Sequence, residues 1–378
     1  MPSSPGWSAS TRIRTATRIA APHDHLAPGG VVFHPHVLRD VAAADPSTTI
    51  LGRPAALPVV LAPTGFTRMM RTEGEPAVAR AAARAGIPYS LSTLGTTSVD
   101  RLRSQAPDTE LWFQLYLSQD HSRSQQLLAQ AATNGYTTLV ITVDVPVAGA
   151  RLRDAYNGLT LPPTLTLRTL LAMARKSRWL FDTLTTEPFA FEALGEADDL
   201  VGLFKNAFDP GVTFADLEWL RSQWRGSMVV KGIQRVDDAK AAVAAGVDGI
   251  AVSNHGGRQL DRAMTPLRLL PEIVEAIGSR ADVYIDGGIR SGADVAAAVA
   301  LGARATFVGR MPKPVVGSYK CLAAGRQGNQ LYFRPWRRRG RPSFRDRRRG
   351  LRRHHVLRRR SRRESVSRGH LIGAQRLP

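Results

Sequence analysis

The feature that most constrains the fold is an alternation of short apolar runs with alanine-rich stretches. Eight runs have the length and composition of buried strands, and they span residues 59–65, 88–92, 111–116, 138–144, 228–233, 249–254, 283–288 and 305–310. Helical stretches such as EPAVARAAARAG, VDDAKAAVAAG and GADVAAAVALG lie between them, each ending in glycine, the usual residue just past a helix. Alternation of this kind indicates right-handed βαβ units. Eight units predict an α/β protein with a (β/α)8 TIM barrel rather than an open sheet.

The basic charge of the chain is concentrated in residues 311–378. This segment holds 21 of the 52 Lys and Arg residues but two of the 31 acidic residues, so it carries nearly all of the net charge of +21. It has no apolar periodicity, and we predict that it is disordered. Residues 1–30, rich in Ser, Thr, Pro and Arg, are predicted to be disordered as well. The near-neutral body argues against nucleic acid as a partner, while phosphate binding by the tail stays an alternative.

Residues 145–227 interrupt the strand–helix rhythm and are predicted to be an insertion in a barrel of residues 31–310. The insertion contains RTLLAMARKSRWLFDTL, for which we expect a helix folded back over the barrel. Long connections of this kind tend to be functional lids or mobile segments. Its mixture of basic and aromatic residues leaves contact with a membrane surface as an alternative.

The sequence also bears on the compartment. No run reaches the roughly 18 apolar residues of a membrane span, and residues 1–30 lack the apolar core of a secretion signal. The single cysteine, Cys321, excludes an internal disulfide and a cysteine-based metal cluster. We therefore predict a cytoplasmic protein without a bound metal, with a peripheral position at the inner face of the membrane as the alternative.

Polar residues and glycines stand at the carboxyl end of every predicted strand. In a barrel these ends meet on one face, where the chemistry of such folds takes place. The motif DGGIRSGADV adds two glycines at a strand-to-helix turn, which suits an anion such as the phosphate of a cofactor. The predicted pocket residues are Pro63, Thr64, Gly65, Ser92, Gln114, Tyr116, Thr142, Asp144, Lys231, His255, Arg258, Asp286, Gly287, Gly288, Arg290, Gly309 and Arg310.

Five segments of the chain, SNHGGRQLD, VKGI, APTG, FQLY and DGGIRSGADV, resemble those of the FMN-dependent α-hydroxy acid dehydrogenases and oxidases, over about residues 31–310. That family includes L-lactate dehydrogenases and glycolate oxidases, and the resemblance implies a barrel with FMN at its carboxyl-terminal face. It implies flavin contacts from the backbone of residues 63–65 and from the side chains of Ser92, Gln114, Thr142, Lys231 and Ser253. It further implies that residues 286–290, Gly309 and Arg310 hold the phosphate, and that Tyr116, Arg151, His255 and Arg258 handle the substrate.

The chemistry of 2-hydroxy acid oxidation agrees with these roles. The reaction removes a proton and a hydride equivalent, and we expect His255 to be the base, with Asp144 orienting its ring. Arg258 and Arg151 suit a substrate carboxylate, and Lys231 offers a cation to the reduced flavin. Each residue has a structural alternative: Asp144 pairs with Arg151 or Arg153, Lys231 extends from a strand end to solvent, and Tyr116 packs in the core.

The predicted function is FMN-dependent oxidation of an L-2-hydroxy acid, with L-lactate as the favoured substrate. SNHGGRQLD argues against another FMN barrel enzyme such as a flavin-dependent isomerase. Oxygen, a quinone and a carrier protein are not distinguished as electron acceptor, and a homo-oligomer is left open. Two features depart from the family: residues 1–30 lack its amino-terminal tyrosine motif, and the eighth helix is missing or replaced after Arg310. Translation out of frame at both ends would explain this, so an inactive relative that retains little flavin is the alternative, followed by a protein that binds nucleic acid through its tail.

Overall fold

The computed structural model of the protein describes residues 31, 45–147, 149, 176–187, 191–192 and 208–309. Two short strands precede eight that form a closed, parallel barrel, in which the last strand pairs with the first and thereby leaves no free edge. This confirms the predicted TIM barrel, and all eight predicted strands are present. The strands are β1 (Thr48–Ile50), β2 (Arg53–Ala55), β3 (Val59–Leu61), β4 (Tyr89–Ser92), β5 (Leu111–Leu115), β6 (Thr138–Thr142), β7 (Ser227–Ile233), β8 (Gly249–Ser253), β9 (Asp282–Asp286) and β10 (Ala305–Val308).

Helices connect consecutive barrel strands and cover the outside of the barrel. Their apolar faces and the outward side chains of the strands form one large buried cluster, as the two-sided burial of parallel strands requires. In the order of the chain, the helices of the described residues are α1 (Thr67–Met70), α2 (Gly74–Ala85), α3 (Val99–Gln105), α4 (His121–Thr133), α5 (Ser177–Thr185), α6 (Phe214–Gln223), α7 (Val236–Ala244), α8 (Pro266–Ile277) and α9 (Gly292–Ala300).

Three aromatic side chains fill the interior of the barrel. Trp112, Tyr284 and Phe307 pack edge to face, with ring centroids 5.8 to 6.4 Å apart, and each is at most 1% exposed. Burying a large apolar side chain contributes about 1.5–3 kcal/mol. The interior is thus a packed core, and a ligand site has to lie at an end of the barrel.

An antiparallel hairpin, β1–β2, was not expected from the sequence. Its two-residue turn, Leu51 and Gly52, has positive φ at both positions, +48° and +76°, as a type I′ turn requires. Ile50 and Ala55 of the hairpin are buried against the interior side chains of the barrel, and Leu51 N donates to Asp282 Oδ2 at 3.1 Å. Asp282 is the first residue of β9, so the hairpin covers the amino-terminal end of the barrel and leaves the carboxyl-terminal end for function.

The predicted insertion contains two helices of the described residues, and they differ in role. Helix α6 buries Leu217 and Leu220 in the main core, so it belongs to the barrel and precedes β7. Helix α5 lies against α1, where Trp179 Nε1 donates to Met69 O at 3.0 Å. None of the helices described is long and apolar enough to cross a membrane. The remaining expectations, for residues 1–30, for the tail 311–378 and for an eighth helix, lie outside the described residues.

Candidate active site

His255 and Asp144, from two separate strand ends, form a hydrogen-bonded pair at the carboxyl-terminal end of the barrel. Nδ1 of His255 lies 2.9 Å from Oδ1 of Asp144. The histidine side chain is 21% exposed and the aspartate 5%, so the carboxylate lies behind the ring and the ring is open to a ligand. His255 has φ of +55°, and its backbone N donates to Ser253 Oγ at 3.0 Å, which anchors the turn after β8. The predicted orientation of the ring by Asp144 matches this geometry.

Lys231, Asp286 and Ser253 form a second, fully buried network beside this pair. Nζ of Lys231 lies 2.8 Å from Oδ2 of Asp286, and the same oxygen accepts from Ser253 Oγ at 2.7 Å. Burial opposes the charge on the lysine, but the carboxylates of Asp286 and Asp144 outweigh it and raise the pKa of Lys231 above its usual value. Burial likewise opposes the charge of Asp286, but Lys231, Ser253 and His255 hold its pKa below the usual range. The site therefore contains a permanent cation, which is almost entirely shielded from solvent.

The predicted flavin contacts on β4, β5 and β6 are buried side by side. Ser92 Oγ donates to Gln114 Oε1 at 3.0 Å and accepts from Leu94 N at 3.1 Å, so the orientation of the amide is fixed. Gln114 Nε2 is buried and has no hydrogen-bond partner among the described residues. An unsatisfied buried donor costs about 1–3 kcal/mol, and the carbonyl and ring-nitrogen acceptors of a flavin would satisfy it. Thr142 is buried in register with Lys231, and together these residues fit the polar edge of FMN.

A turn after β9 has the backbone geometry of an anion site. Gly287 and Gly288 have φ of +101° and +79°, which side chains disfavour and which let backbone N–H groups face a ligand. Helix α9 follows, with Ser291 and Asp294 forming a capping box at its amino terminus. Arg290 is exposed at this terminus, and its own backbone N donates to Asp294 Oδ2 at 2.9 Å. These groups suit a phosphate, whereas Asp286 is engaged with Lys231 instead.

Two glycines let the loops after β3 and β10 approach their neighbours. A Cβ on Gly65 would lie 2.9 Å from Leu94 Cβ, and a Cβ on Gly309 would lie 3.4 Å from Ala62 Cβ. Pro63 and Thr64, between these contacts, are half-buried, and Ala62 N donates to Val308 O at 3.0 Å. The backbone of residues 63–65 thus lies at the mouth of the barrel, where a flavin was expected. Arg310 lies outside the described residues.

The predicted substrate residues are brought to this face in part. Tyr116 follows β5, and it is the smallest of the contributions that raise the pKa of Lys231, after those of Asp286 and Asp144. Its ring also packs edge to face on Phe208, as the packing alternative predicts, and this contact leaves the predicted site role open. Arg258 is half-buried in the loop that carries His255. Arg151 lies outside the described residues.

Two positioning residues were missed by sequence analysis. A Cβ on Gly232 would lie 2.7 Å from Asp144 Cβ, and its φ is +115°, so the position accepts only glycine without displacing the aspartate. Thr93 Oγ1 donates to Gln114 O at 2.5 Å and accepts from Tyr116 N at 3.1 Å, which joins the ends of β4 and β5. The glycine after Lys231 in VKGI was the available signal for the first, and nothing in the sequence singled out Thr93.

The chain is similar to known proteins over about three quarters of its length. The chain matches the family described as FMN-dependent dehydrogenase over residues 22–337, a range that extends beyond residues 31–310 at both ends. It is 54% identical over 281 residues to a putative L-lactate dehydrogenase of Mycobacterium tuberculosis, covering 74% of this chain and 68% of that protein. It is 46% identical over 288 residues to an L-lactate dehydrogenase of Caulobacter vibrioides, covering 74% and 75%.

Two solved structures are also similar to this protein. The structure is similar to that of the monotopic membrane protein (S)-mandelate dehydrogenase, with a TM-score of 0.71, 35% identity and 79% of each chain covered. It is also similar to a mandelate oxidase, with a TM-score of 0.60, 39% identity, and coverage of 77% of this chain and 74% of the other.

Proposed function

Because this chain belongs to the family of FMN-dependent hydroxy acid dehydrogenases and oxidases, we propose that it oxidises L-lactate to the corresponding 2-oxo acid with His255 as the base. The hydrogen bond between His255 and Asp144 is the observation that carries the proposal. Oxidation of a 2-hydroxy acid needs a group that takes a proton near neutral pH, and a histidine held by a buried carboxylate meets that need.

Asp144 sets which nitrogen of the ring takes the proton. When the carboxylate accepts from Nδ1–H, Nε2 is left as the acceptor that faces the substrate. The imidazolium that forms then lies against a negative charge 2.9 Å away, in a site where the aspartate is 5% exposed. Water screens a charge poorly at such a buried carboxylate.

FMN supplies the electron chemistry, because it accepts the hydride equivalent when bound. Ser92, Gln114, Thr142 and Lys231 would hold the polar edge of its ring. Since Gln114 Nε2 has no partner among the described residues, it is free to donate to that edge. Lys231, kept charged by Asp286, provides the cation that favours added negative charge on the ring. Gly287, Gly288 and Arg290 would hold the phosphate.

The residues around His255 would bind the substrate. Arg258 shares its loop and, together with Arg151, would grip the carboxylate, which a guanidinium can bind with two parallel hydrogen bonds. Tyr116, which follows β5, would supply a hydroxyl. The similarity to L-lactate dehydrogenases at 46–54% identity, against 35–39% for the mandelate enzymes, favours a small side chain on the substrate.

The deciding experiment is anaerobic mixing of the FMN-loaded protein with L-lactate, followed by flavin absorbance. The parent should bleach, and His255→Ala should slow bleaching on the order of 10²–10⁴-fold, the usual contribution of a general base. His121→Ala is the matched control, because that histidine lies at the start of α4, stacked on Trp219. A His255→Ala protein that reduces FMN at the parent rate contradicts the assignment. L-mandelate and glycolate in parallel test the substrate, and reoxidation by oxygen or a quinone tests the acceptor.

Exposed apolar side chains on α5 support a cytoplasmic protein held peripherally at the membrane. Phe181 and Leu184 are 66% and 75% exposed, and Met70, on the adjoining α1, is 65% exposed. Aromatic and aliphatic side chains on one helix face are typical of interfacial binding. Phe181→Asp with Leu184→Asp should abolish flotation with anionic vesicles and leave FMN reduction unchanged. Equal flotation of parent and variant contradicts this position.

A further inference from the structure

We propose that Phe208 is a positioning residue for Tyr116, which it holds with the phenol hydroxyl directed at the substrate. The inference rests on the proposed function, in which Tyr116 handles the substrate. Phe208 lies in the predicted insertion, shortly before α6, and it contains no group that could react. Its role would be to fix the geometry of another side chain.

The contact between the two rings is specific. Their centroids are 4.9 Å apart and their planes meet at 71°, the edge-to-face arrangement in which the positive rim of one ring meets the negative face of the other. A rotation of the Tyr116 side chain away from this orientation would lose the contact. The aromatic edge thus restrains the direction in which the phenol points.

The backbone brings the two rings into register. Asp209 N donates to Leu117 O at 3.1 Å, so the residue after Phe208 is bonded to the residue after Tyr116. Asp209 Oδ1 in turn accepts from Gly211 N at 2.8 Å, which holds the turn before α6. Phe208 is therefore fixed by its own chain and can restrain its neighbour.

Tyr116 lies just past the end of β5, beyond the last residue of that strand paired with β6. Its backbone N is bonded to Thr93 Oγ1, but that bond fixes only the main chain. The ring packs at the edge of an apolar cluster whose buried members are Leu94 and Phe191. Phe208 is the described member of this cluster that lies edge to face on the ring, and it comes from a different loop. A substrate contact made by the hydroxyl thus depends on a residue 92 positions away in the chain, whose ring never needs to touch the substrate.

The test is a double-mutant cycle between Phe208→Leu and Tyr116→Phe on the FMN-loaded protein. Phe208→Leu keeps an apolar side chain and removes the aromatic edge, and it should slow flavin reduction by L-lactate on the order of ten-fold, since small misplacements near reacting groups have large effects. In the Tyr116→Phe background, where no hydroxyl is left to orient, the same substitution should slow reduction less than about two-fold. The affinity for the 2-oxo acid product, measured by flavin absorbance, should fall when Phe208→Leu is made in the parent. It should not fall further when the same substitution is made in the Tyr116→Phe background.

Controls separate positioning from loss of structure. Phe208→Tyr retains the aromatic edge and should restore the parent rate, and Phe214→Leu, at an exposed position six residues on, should leave it unchanged. Equal slowing by Phe208→Leu in both backgrounds contradicts the inference. So does loss of FMN from both Phe208→Leu and Phe208→Met, whose unbranched side chain adapts to its surroundings, because that result would assign Phe208 to the fold. If the parent itself is not reduced by any 2-hydroxy acid, or if Tyr116→Phe has no effect, the proposed function fails instead.

Discussion

Nδ1 of His255 lies 2.9 Å from Oδ1 of Asp144, although the two residues follow different strands and are 111 positions apart. The other carboxylate oxygen, Oδ2, is buried without a hydrogen-bond partner among the described residues. Burying that oxygen without a hydrogen bond costs free energy, which an attraction to nearby positive charge can offset. We infer that it stabilises positive charge nearby, on the His255 ring after proton transfer and on Lys231 throughout.

Asp144→Asn should preserve the shape of this site and remove its charge. The imidazolium then loses its partner, and the amide can also reverse the tautomer by donating to Nδ1. We expect the rate of flavin reduction by L-lactate to fall on the order of 10²–10⁴-fold with FMN content unchanged. Stopped-flow absorbance measures the rate, and Asp248→Asn, at an exposed ion pair with Arg221, is the control. A rate within three-fold of the parent would show that the carboxylate does not support the base.

Gly232→Ala should displace Asp144 without altering any reacting group. The added Cβ would lie 2.7 Å from Asp144 Cβ and 2.8 Å from its backbone N, at a φ of +115°. We expect slower flavin reduction, and little further loss when the change is combined with Asp144→Asn. Gly52→Ala is the matched control, since its φ is +76° but nothing lies within 4 Å of the added atom. Both alanine variants should lose about 1–3 kcal/mol of stability through backbone strain. If Gly232→Ala loses only this stability and reduces flavin at the parent rate, the contact between position 232 and Asp144 has no catalytic consequence.

The barrel could be predicted from sequence because each barrel strand is an apolar run and several of the helices between them are followed by glycine. Both signals are local, so eight repeats of them determine the architecture. The β1–β2 hairpin was missed because its strands have three residues each and its turn contains Leu51 at positive φ, which the sequence does not favour. It depends on burial of Ile50 and Ala55 against the barrel interior, which is a tertiary contact.

The candidate site also combines residues that the sequence predicts with residues whose roles depend on tertiary contacts. His255, Lys231 and Gln114 could be predicted because polar groups at strand ends must meet on one face. Phe208 could not, and Gly232 had only the glycine of VKGI as a signal, because what distinguishes both residues is a short distance to a residue of another loop. The place of Asp286 also required the structure, since a carboxylate beside a glycine turn suggested the phosphate, while its oxygen binds Lys231.

Lys231→Met should destabilise the protein by an amount that depends on pH. The pKa of Asp286 is lowered, so its contribution is present above the ordinary carboxyl value of about 3.9 and is lost as pH falls through the lower folded value. The pKa of Lys231 is raised, so its contribution is present below about 10.4 and lost only at still higher pH. At neutral pH and above the loss should be about 3–5 kcal/mol for a broken buried pair.

As the pH falls below neutral, the difference in stability between parent and Lys231→Met should narrow, because Asp286, buried without its cation, is neutralised by protonation. Thermal unfolding of both proteins with saturating FMN, from pH 3 to 9, measures this. Lys240→Met, at an exposed lysine of α7, should behave like the parent at every pH. A difference that grows as the solution becomes acidic would contradict the ion pair as the source.

Arg290→Ala should weaken binding of FMN through its phosphate alone. Arg290 is exposed at the amino terminus of α9, directly after the two glycines with positive φ, where a dianion would meet both the helix end and the guanidinium. A charge-assisted hydrogen bond contributes about 1.5–3 kcal/mol, so the dissociation constant of FMN should rise at least about ten-fold. Riboflavin, which has the same ring system but no phosphate, should bind parent and variant equally. Titration of the apoprotein by flavin fluorescence gives both constants, with Arg280→Ala, at an exposed arginine after α8, as the control. Equal loss of affinity for FMN and riboflavin would place Arg290 with the ring or the fold, and no loss for either would remove it from the phosphate site.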